Sequence, residues 1–232
     1  CKSTPATDGK HIVTFLGSEG LFCFNMNGKR LWRKDLGKLD AGPREDRGLQ
    51  WGYASSPAIH HGRVYVQCDT HDEHFVACFD IADGKEVWRT TRDDATTWST
   101  PTVYFDGDTA RLAVNGEKEI SGYDLKTGKQ VWKLGGGGDV PVPTPVVAKG
   151  MLFFTSAHGG PAPLFAIRLD ARGELEEKKS AEAGAIAWSV PRNGAYMQTP
   201  IVYGEYVYSC SDRGVLKCYD VKSGEMMYQQ RL

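Results

Sequence analysis

The 232-residue sequence has no excess of either charge. Lys and Arg total 28 against 29 Asp and Glu, a formal net charge of -1, which excludes a general binder of nucleic acid or anionic membrane. It also lacks any apolar run near the roughly 20 residues that a membrane-spanning helix needs. No secretory leader opens the sequence, as is equally true of a mature or trimmed chain. Helical periodicity of any consequence is missing too; only 171–185 is helix-permissive by composition. What is present in quantity is 27 Gly, 6 Trp and 10 Tyr. Glycine for turns with aromatics for strands indicates an all-β chain rich in hairpins.

The dominant signal is repetition. Five Ser/Thr-Pro steps recur at Thr4-Pro5, Ser56-Pro57, Thr100-Pro101, Thr144-Pro145 and Thr199-Pro200. After each comes a short strand, a Gly turn and a β-rich strand: 11–15, 63–68, 111–115, 151–155 and 206–210. A third strand follows at 21–24, 75–79, 119–123, 163–167 and 215–219. Next is a turn that begins with Asp or Asn and ends near Gly, as in DIADGK, DLKTGK and DVKSGE. A fourth strand carries Trp32, Trp88, Trp132 and, in the fifth unit, Tyr228. The fourth unit shows no clear aromatic there, and 171–185, where its outer strand is due, is expected to be an irregular strand or loop. Proline suits a strand start because it has no ladder donor. Asp accepts bonds from its own turn, and Gly supplies the positive φ. A unit near 45 residues with four strands is a β-propeller blade, and blades must stack to bury both faces.

The predicted architecture is therefore an all-β, single-domain β-propeller of four-stranded antiparallel blades. Five blades are visible, at about 1–36, 52–92, 97–134, 141–180 and 196–232. Closure removes exposed sheet edges, and no strand exchanged between the termini locks five blades into a ring. The expectation is a part of a seven- or eight-bladed ring, incomplete at both ends.

The segments CFDIADGKEVW (78–88), GYDLKTGKQVW (122–132) and CYDVKSGEMMY (218–228) resemble the tryptophan-docking motif of PQQ-type (quinoprotein-like) propellers. CFNMNGKRLW (23–32) departs by one residue and by Asn25 for Asp. The resemblance spans essentially the whole chain and is specific for fold rather than activity. It implies one of two groups. One comprises the PQQ-dependent dehydrogenases, which carry a vicinal Cys-Cys disulfide, a Trp beneath the quinone and calcium ligands. The other is non-catalytic and includes the periplasmic lipoprotein of the outer-membrane β-barrel assembly machinery. No Cys-Cys pair occurs here, which argues against quinone catalysis. A periplasmic or secreted location follows from the resemblance alone.

Other chemistry-bearing residues mostly have structural readings. Cys23, Cys78 and Cys218 share a slot two residues before the turn Asp or Asn, which calls for a small buried residue. Cys68 and Cys210 end second strands; with Cys210 opposite Val215, Cys218 lies too far along to bridge it. Cys1 is a lipid-anchor candidate only if it is the mature N-terminus; truncation is the favoured reading. His71-Asp72-Glu73-His74 lacks a third spaced ligand and reads as a solvated turn. Gly135–Gly138 lacks the Lys-Ser/Thr of a phosphate loop and reads as a hinge between blades. Asp93 and Asp94 point apart on an extended chain, with no partner base evident.

Blade-joining loops and the loops between second and third strands share one propeller face. The long segments 33–55, 89–99, 133–143, 156–163 and 184–198 all fall there, and function gathers on such loops. The candidate ligand-binding set is Trp51, Tyr53, Arg92, Asp94, Trp98, His158, Tyr196 and Gln198, with Asp93 and Arg192 alongside. Aromatics beside charges at a channel mouth suit a ligand or peptide that stacks and pairs. The competing reading is that they cap the blades and pack between neighbours. The expected function is a non-catalytic binding or scaffold propeller for a protein or small molecule, with no catalytic residues, metal or cofactor. The alternative is a fragment of a PQQ- and calcium-dependent oxidoreductase. A propeller hydrolase or lyase ranks last.

Overall fold

The computed structural model describes residues 3–43, 46–158, 162–177 and 184–232. Cys1 lies outside them, as do 178–183 of the segment with the uncertain outer strand. Each Ser/Thr-Pro step opens a sheet. The first blade is β1 (Ala6–Thr7), β2 (His11–Phe15), β3 (Leu21–Asn25) and β4 (Arg30–Lys34). The second is β5 (Ala58–His60), β6 (Arg63–Asp69), β7 (His74–Asp80) and β8 (Glu86–Thr91). The third is β9 (Thr102–Asp106), β10 (Thr109–Val114), β11 (Glu119–Asp124) and β12 (Gln130–Gly135). The fourth holds β13 (Val146–Ala148), β14 (Met151–Thr155), β15 (Leu164–Arg168) and β17 (Ile186–Val190). The fifth is β18 (Ile201–Tyr203), β19 (Tyr206–Cys210), β20 (Val215–Asp220) and β21 (Met226–Arg231). Strands within a blade pair antiparallel in sequence order. Inner strands touch in turn, β1 to β5, β5 to β9, β9 to β13 and β13 to β18.

Two features of the fourth unit differ from the sequence expectation. Its outer strand is β17, beyond 171–185, and it carries the aromatic that seemed missing: Trp188 pairs with Ala166. Between β15 and β17, the strand β16 (Gly173–Leu175) adds in parallel to β12, giving the third blade a fifth strand.

The small-residue slot has a geometric cause. Cys23 faces Trp32, Cys78 faces Trp88, Gly122 faces Trp132, Ala166 faces Trp188 and Cys218 faces Tyr228. The register shifts just after each slot, a bulge that re-aims the outer strand. The described cysteines are all free, and Cys210 sits opposite Leu216, one residue beyond the expected Val215.

Three of these tryptophans reach the next blade. The indole N–H of Trp32 donates to Ile81 O at 2.7 Å, that of Trp88 to Leu125 O at 3.1 Å and that of Trp188 to Val221 O at 2.9 Å. The rings lie against the turn glycines Gly84, Gly128 and Gly224, where a Cβ would meet indole atoms at 2.8, 2.4 and 2.5 Å. Trp132 breaks the pattern, because its N–H stays home on Tyr104 Oη at 2.9 Å. There, Leu175 of β16 and Ala171 fill the space between blades instead. The apolar core is accordingly four clusters, one at each junction of consecutive blades, with a fifth, smaller one of Ala41, Trp98 and Val140 among the linkers.

Candidate functional site

The candidate residues separate into a group sealed between blades and a group around a cleft, in which Trp98 is buried, Tyr196 half-buried and Trp51 exposed. Tyr53 is core: its ring packs on Phe15 with centroids 4.3 Å apart, and its hydroxyl donates to Gln67 O. Burial pushes the phenol well above its ordinary pKa.

Arg92 and Asp94 are likewise sealed between the second and third blades, with Asp69. Arg92 Nε stands 3.2 Å from Asp69 Oδ1, its Nη2 pairs with Asp94, and its Nη1 donates to Ser121 Oγ at 3.1 Å. Asp94 Oδ1 also accepts the backbone N–H groups of Ala95, Glu117 and Lys118 at 2.8–3.0 Å. Gln67 Nε2 donates to Asp69 Oδ2 at 2.8 Å, and so does the Thr97 hydroxyl, also at 2.8 Å. Burial raises the Asp69 carboxyl pKa, and the Arg92 charge opposes that rise. Burial also works against the Arg92 charge, but Asp69, Tyr123 and Asp94 outweigh it and hold the guanidinium above its ordinary value. Asp93, by contrast, points outward and pairs with Lys118 at 2.5 Å. The cluster is a closed structural knot in which one guanidinium is shared by two carboxylates.

The cleft group does meet. Trp51, in the linker before the second blade, packs against Trp98, in the linker before the third, with ring centroids 5.3 Å apart and planes tilted by 40°. Trp98 is fixed by donation from its indole to Gly52 O at 2.8 Å and from its backbone N–H to Pro141 O at 2.9 Å. Tyr196, in the linker before the fifth blade, completes an apolar cleft of about 310 Å³ with Val140, Val142 and Met197. Trp51 is 42% and Met197 53% exposed, so apolar surface faces solvent at the cleft mouth. Val140 holds a φ of 48°, a left-handed backbone that a β-branched residue adopts only where its surroundings impose it. His158 packs beside Tyr196, ring centroids 4.9 Å apart and tilted, and pairs through Nδ1 with Asp139 at 3.1 Å. Gln198 only accepts the N–H of Met197, at 3.3 Å, and does not line the cleft. Met197, Val140 and Val142 were not among the sequence candidates. The signal for Met197 was its place beside Tyr196 just ahead of a Thr-Pro step; the two valines carry none.

A calcium-bound quinone would need a converging oxygen donor set. Asp69 and Asp94 are engaged by Arg92, and no group of three or more His, Cys, Asp or Glu side chains gathers among the described residues. The residues present do not fit that cofactor. His71 and His74 do not converge with a third ligand either; His71 Nε2 meets Gly42 O at 3.1 Å, and Arg47 pairs with Asp72.

The repeated blades, the indole docking and the turn signature together define a PQQ-type repeat propeller. The chain belongs to the family described as outer membrane protein assembly factor BamB, whose profile matches residues 2–230. Among solved structures it is similar to BamB from Moraxella catarrhalis, at 17% identity over 96% of this chain and 61% of that one, with a TM-score of 0.68. The computationally designed protein Ika8 matches at 13% identity over 99% of this chain and 61% of that one, with a TM-score of 0.68. The quinohemoprotein alcohol dehydrogenase ADHIIG from Pseudomonas putida HK5 matches at 13% over all of this chain and 42% of that one, again with a TM-score of 0.68. These likenesses establish fold. The chain spans about three fifths of the length of the first of them. No curated protein is a significant match to the sequence.

Proposed function

We propose that the chain is a non-catalytic binding propeller that holds a segment of a partner protein on its long-loop face, without a resident cofactor. The observation that carries this reading is the cleft between Trp51, Trp98 and Tyr196, drawn from three inter-blade linkers on one face. The exposed Trp51 and Met197, backed by the buried Trp98 and half-buried Tyr196, offer the aromatic and thioether surface that an apolar segment needs in order to dock. The family description supplies the setting, assembly of outer membrane proteins, and with it a periplasmic location.

A photo-crosslinking residue at Met197, and one at Lys126 on the opposite face, test the reading in a cell exporting outer-membrane proteins. Adducts with an assembly component or a client are expected from position 197 alone. Equal labelling from both positions, or none from 197, rejects it. The oxidoreductase alternative predicts the reverse in a second assay. Micromolar, calcium-dependent binding of PQQ by isothermal titration would favour catalysis over scaffolding.

A further inference from the structure

A second cleft of about 740 Å³ opens on the same face, between the fourth and fifth blades, with Tyr196 on the wall it shares with the aromatic cleft. Its lining becomes intelligible when the blades are superposed by register. Tyr65 and Phe153 occupy one position, each opposite the slot residue, and Trp88 and Trp188 occupy another. Counting on in sequence past the ends of β14 and β17, Arg192 corresponds to Arg92, Ala157 to Asp69 and Gly194 to Asp94, with Arg192 exposed where Arg92 is buried. From the facing blade, Gly122 and Cys218 correspond, so Lys217 stands where Ser121 accepts from Arg92.

The two junctions are thus the same device in opposite charge states. Between the second and third blades, one arginine is closed in by two carboxylates. Between the fourth and fifth, the arginine is kept, both carboxylates are gone and a lysine has been added. The other blades carry Phe22, Ala77 and Phe165 at the Lys217 position, none of them charged. Lys217 Nζ meets only the neutral Asn193 Oδ1, at 2.6 Å, and burial lowers its pKa. Arg213 adds a third cation to the lining against one carboxylate, Asp212. Among the described residues, Arg192, Arg213 and Lys217 have no ion-pair partner.

We infer that this cleft receives an acidic segment of a partner protein, whose Asp or Glu carboxylates pair with Arg192 and Lys217. The segment supplies from outside the charges that Asp69 and Asp94 supply from within at the other junction. This rests on the proposed function for the partner being a protein on this face. Because Tyr196 borders both clefts, one peptide with an aromatic residue near its acids spans them.

The probes are an acetylated, amidated Trp-Gly-Asp-Asp peptide, its Trp-Gly-Asn-Asn counterpart and succinate, titrated calorimetrically into the full chain. The acidic peptide is expected to bind roughly ten- to a hundred-fold more tightly than the amide version, the range for charge-assisted bonds, and to weaken as salt rises. Lys217→Ser, which copies the third blade, and Ala157→Asp, which restores the internal carboxylate, should each erase that preference with an unchanged urea midpoint. Gly194→Asp is no use, since a Cβ there would meet Pro163 O at 2.5 Å. Equal affinity for the two peptides, or an Ala157→Asp variant that keeps the preference, overturns the inference. Succinate that saturates the cleft while the acidic peptide fails to bind overturns the protein source. If the acidic preference survives Trp51→Ala with no loss of affinity, the aromatic-cleft reading fails and this one stands. If both peptides bind equally and both are lost in Trp51→Ala, the reverse holds. No binding of either peptide overturns both.

Discussion

At the scale of single residues, burial decides reactivity. Desolvation pushes the thiols of Cys23 and Cys78 up to about 11, and that of Cys68 further still. Since the thiolate is the nucleophile, alkylation of the folded protein at pH 8 should be confined, among the five described cysteines, to the half-buried Cys210. Mass spectrometry after a timed iodoacetamide pulse reads this directly, and equal labelling in native and urea-unfolded protein would contradict it. The Arg92 knot makes a second prediction. Arg92→Met leaves buried carboxylates without their cation, which costs about 3–5 kcal/mol. The Asp69 carboxyl already titrates above its unfolded value. Stability from such a raised group is complete below the unfolded pKa and disappears as pH rises through the folded one. Losing Arg92 raises the folded value further and widens that window. The variant's deficit in urea unfolding should therefore be smaller at pH 5 than at pH 8; a pH-independent deficit would show that Arg92 acts by packing alone.

At the scale of elements, a blade is a hairpin pair that docks its indole on a glycine turn of the next. Gly224→Ala places a methyl against Trp188 at 2.5 Å in a backbone with φ of 70°, and overpacking of this kind costs about 1–3 kcal/mol. The same substitution at Gly204, with nothing within 4 Å and a φ of 60°, carries only the backbone strain. Thermal melts of the two variants should differ accordingly, and matching melts would mean the docking is worth little. The third blade obeys a different rule, since Trp132 bonds within its own blade. Tyr104→Phe strands that buried N–H and should cost about 1–3 kcal/mol. The Ser/Thr-Pro steps are also explained here: the Ser56, Thr100 and Thr199 hydroxyls accept the N–H groups of Thr4, Ser56 and Thr144 at 2.9–3.1 Å, linking one blade to the next.

At the scale of the whole molecule, the face with long linkers carries both clefts, one aromatic and one cationic, and the Trp51–Trp98 contact is the landmark between linkers. Trp51→Ala should abolish crosslinking from position 197 while leaving the unfolding free energy in urea within about 0.5 kcal/mol of the parent, as expected for an exposed side chain. A large drop in stability would mean that Trp51 caps the blades rather than receives a partner.

The chain's own periodicity determined the five blades, their strand order and the small residue opposite each tryptophan, because these are local rules repeated five times. Trp188 escaped that reading because a strand inserted between β15 and β17 moved it out of phase. Trp51, Trp98 and Tyr196 were legible as a group because each sits just ahead of a Ser/Thr-Pro step at the channel mouth. Tyr53, Arg92 and Asp94 share that address and yet are interior. Their burial depends on Phe15 and Gln67 and on the third blade's Ser121, Glu117 and Lys118, contacts made across blades. Whether a charged side chain near the axis is closed in by carboxylates, as Arg92 is, or left open, as Arg192 is, depends on which residues the neighbouring blade brings opposite it. Sequence distance does not encode that pairing; only the stacking of one blade on the next decides it.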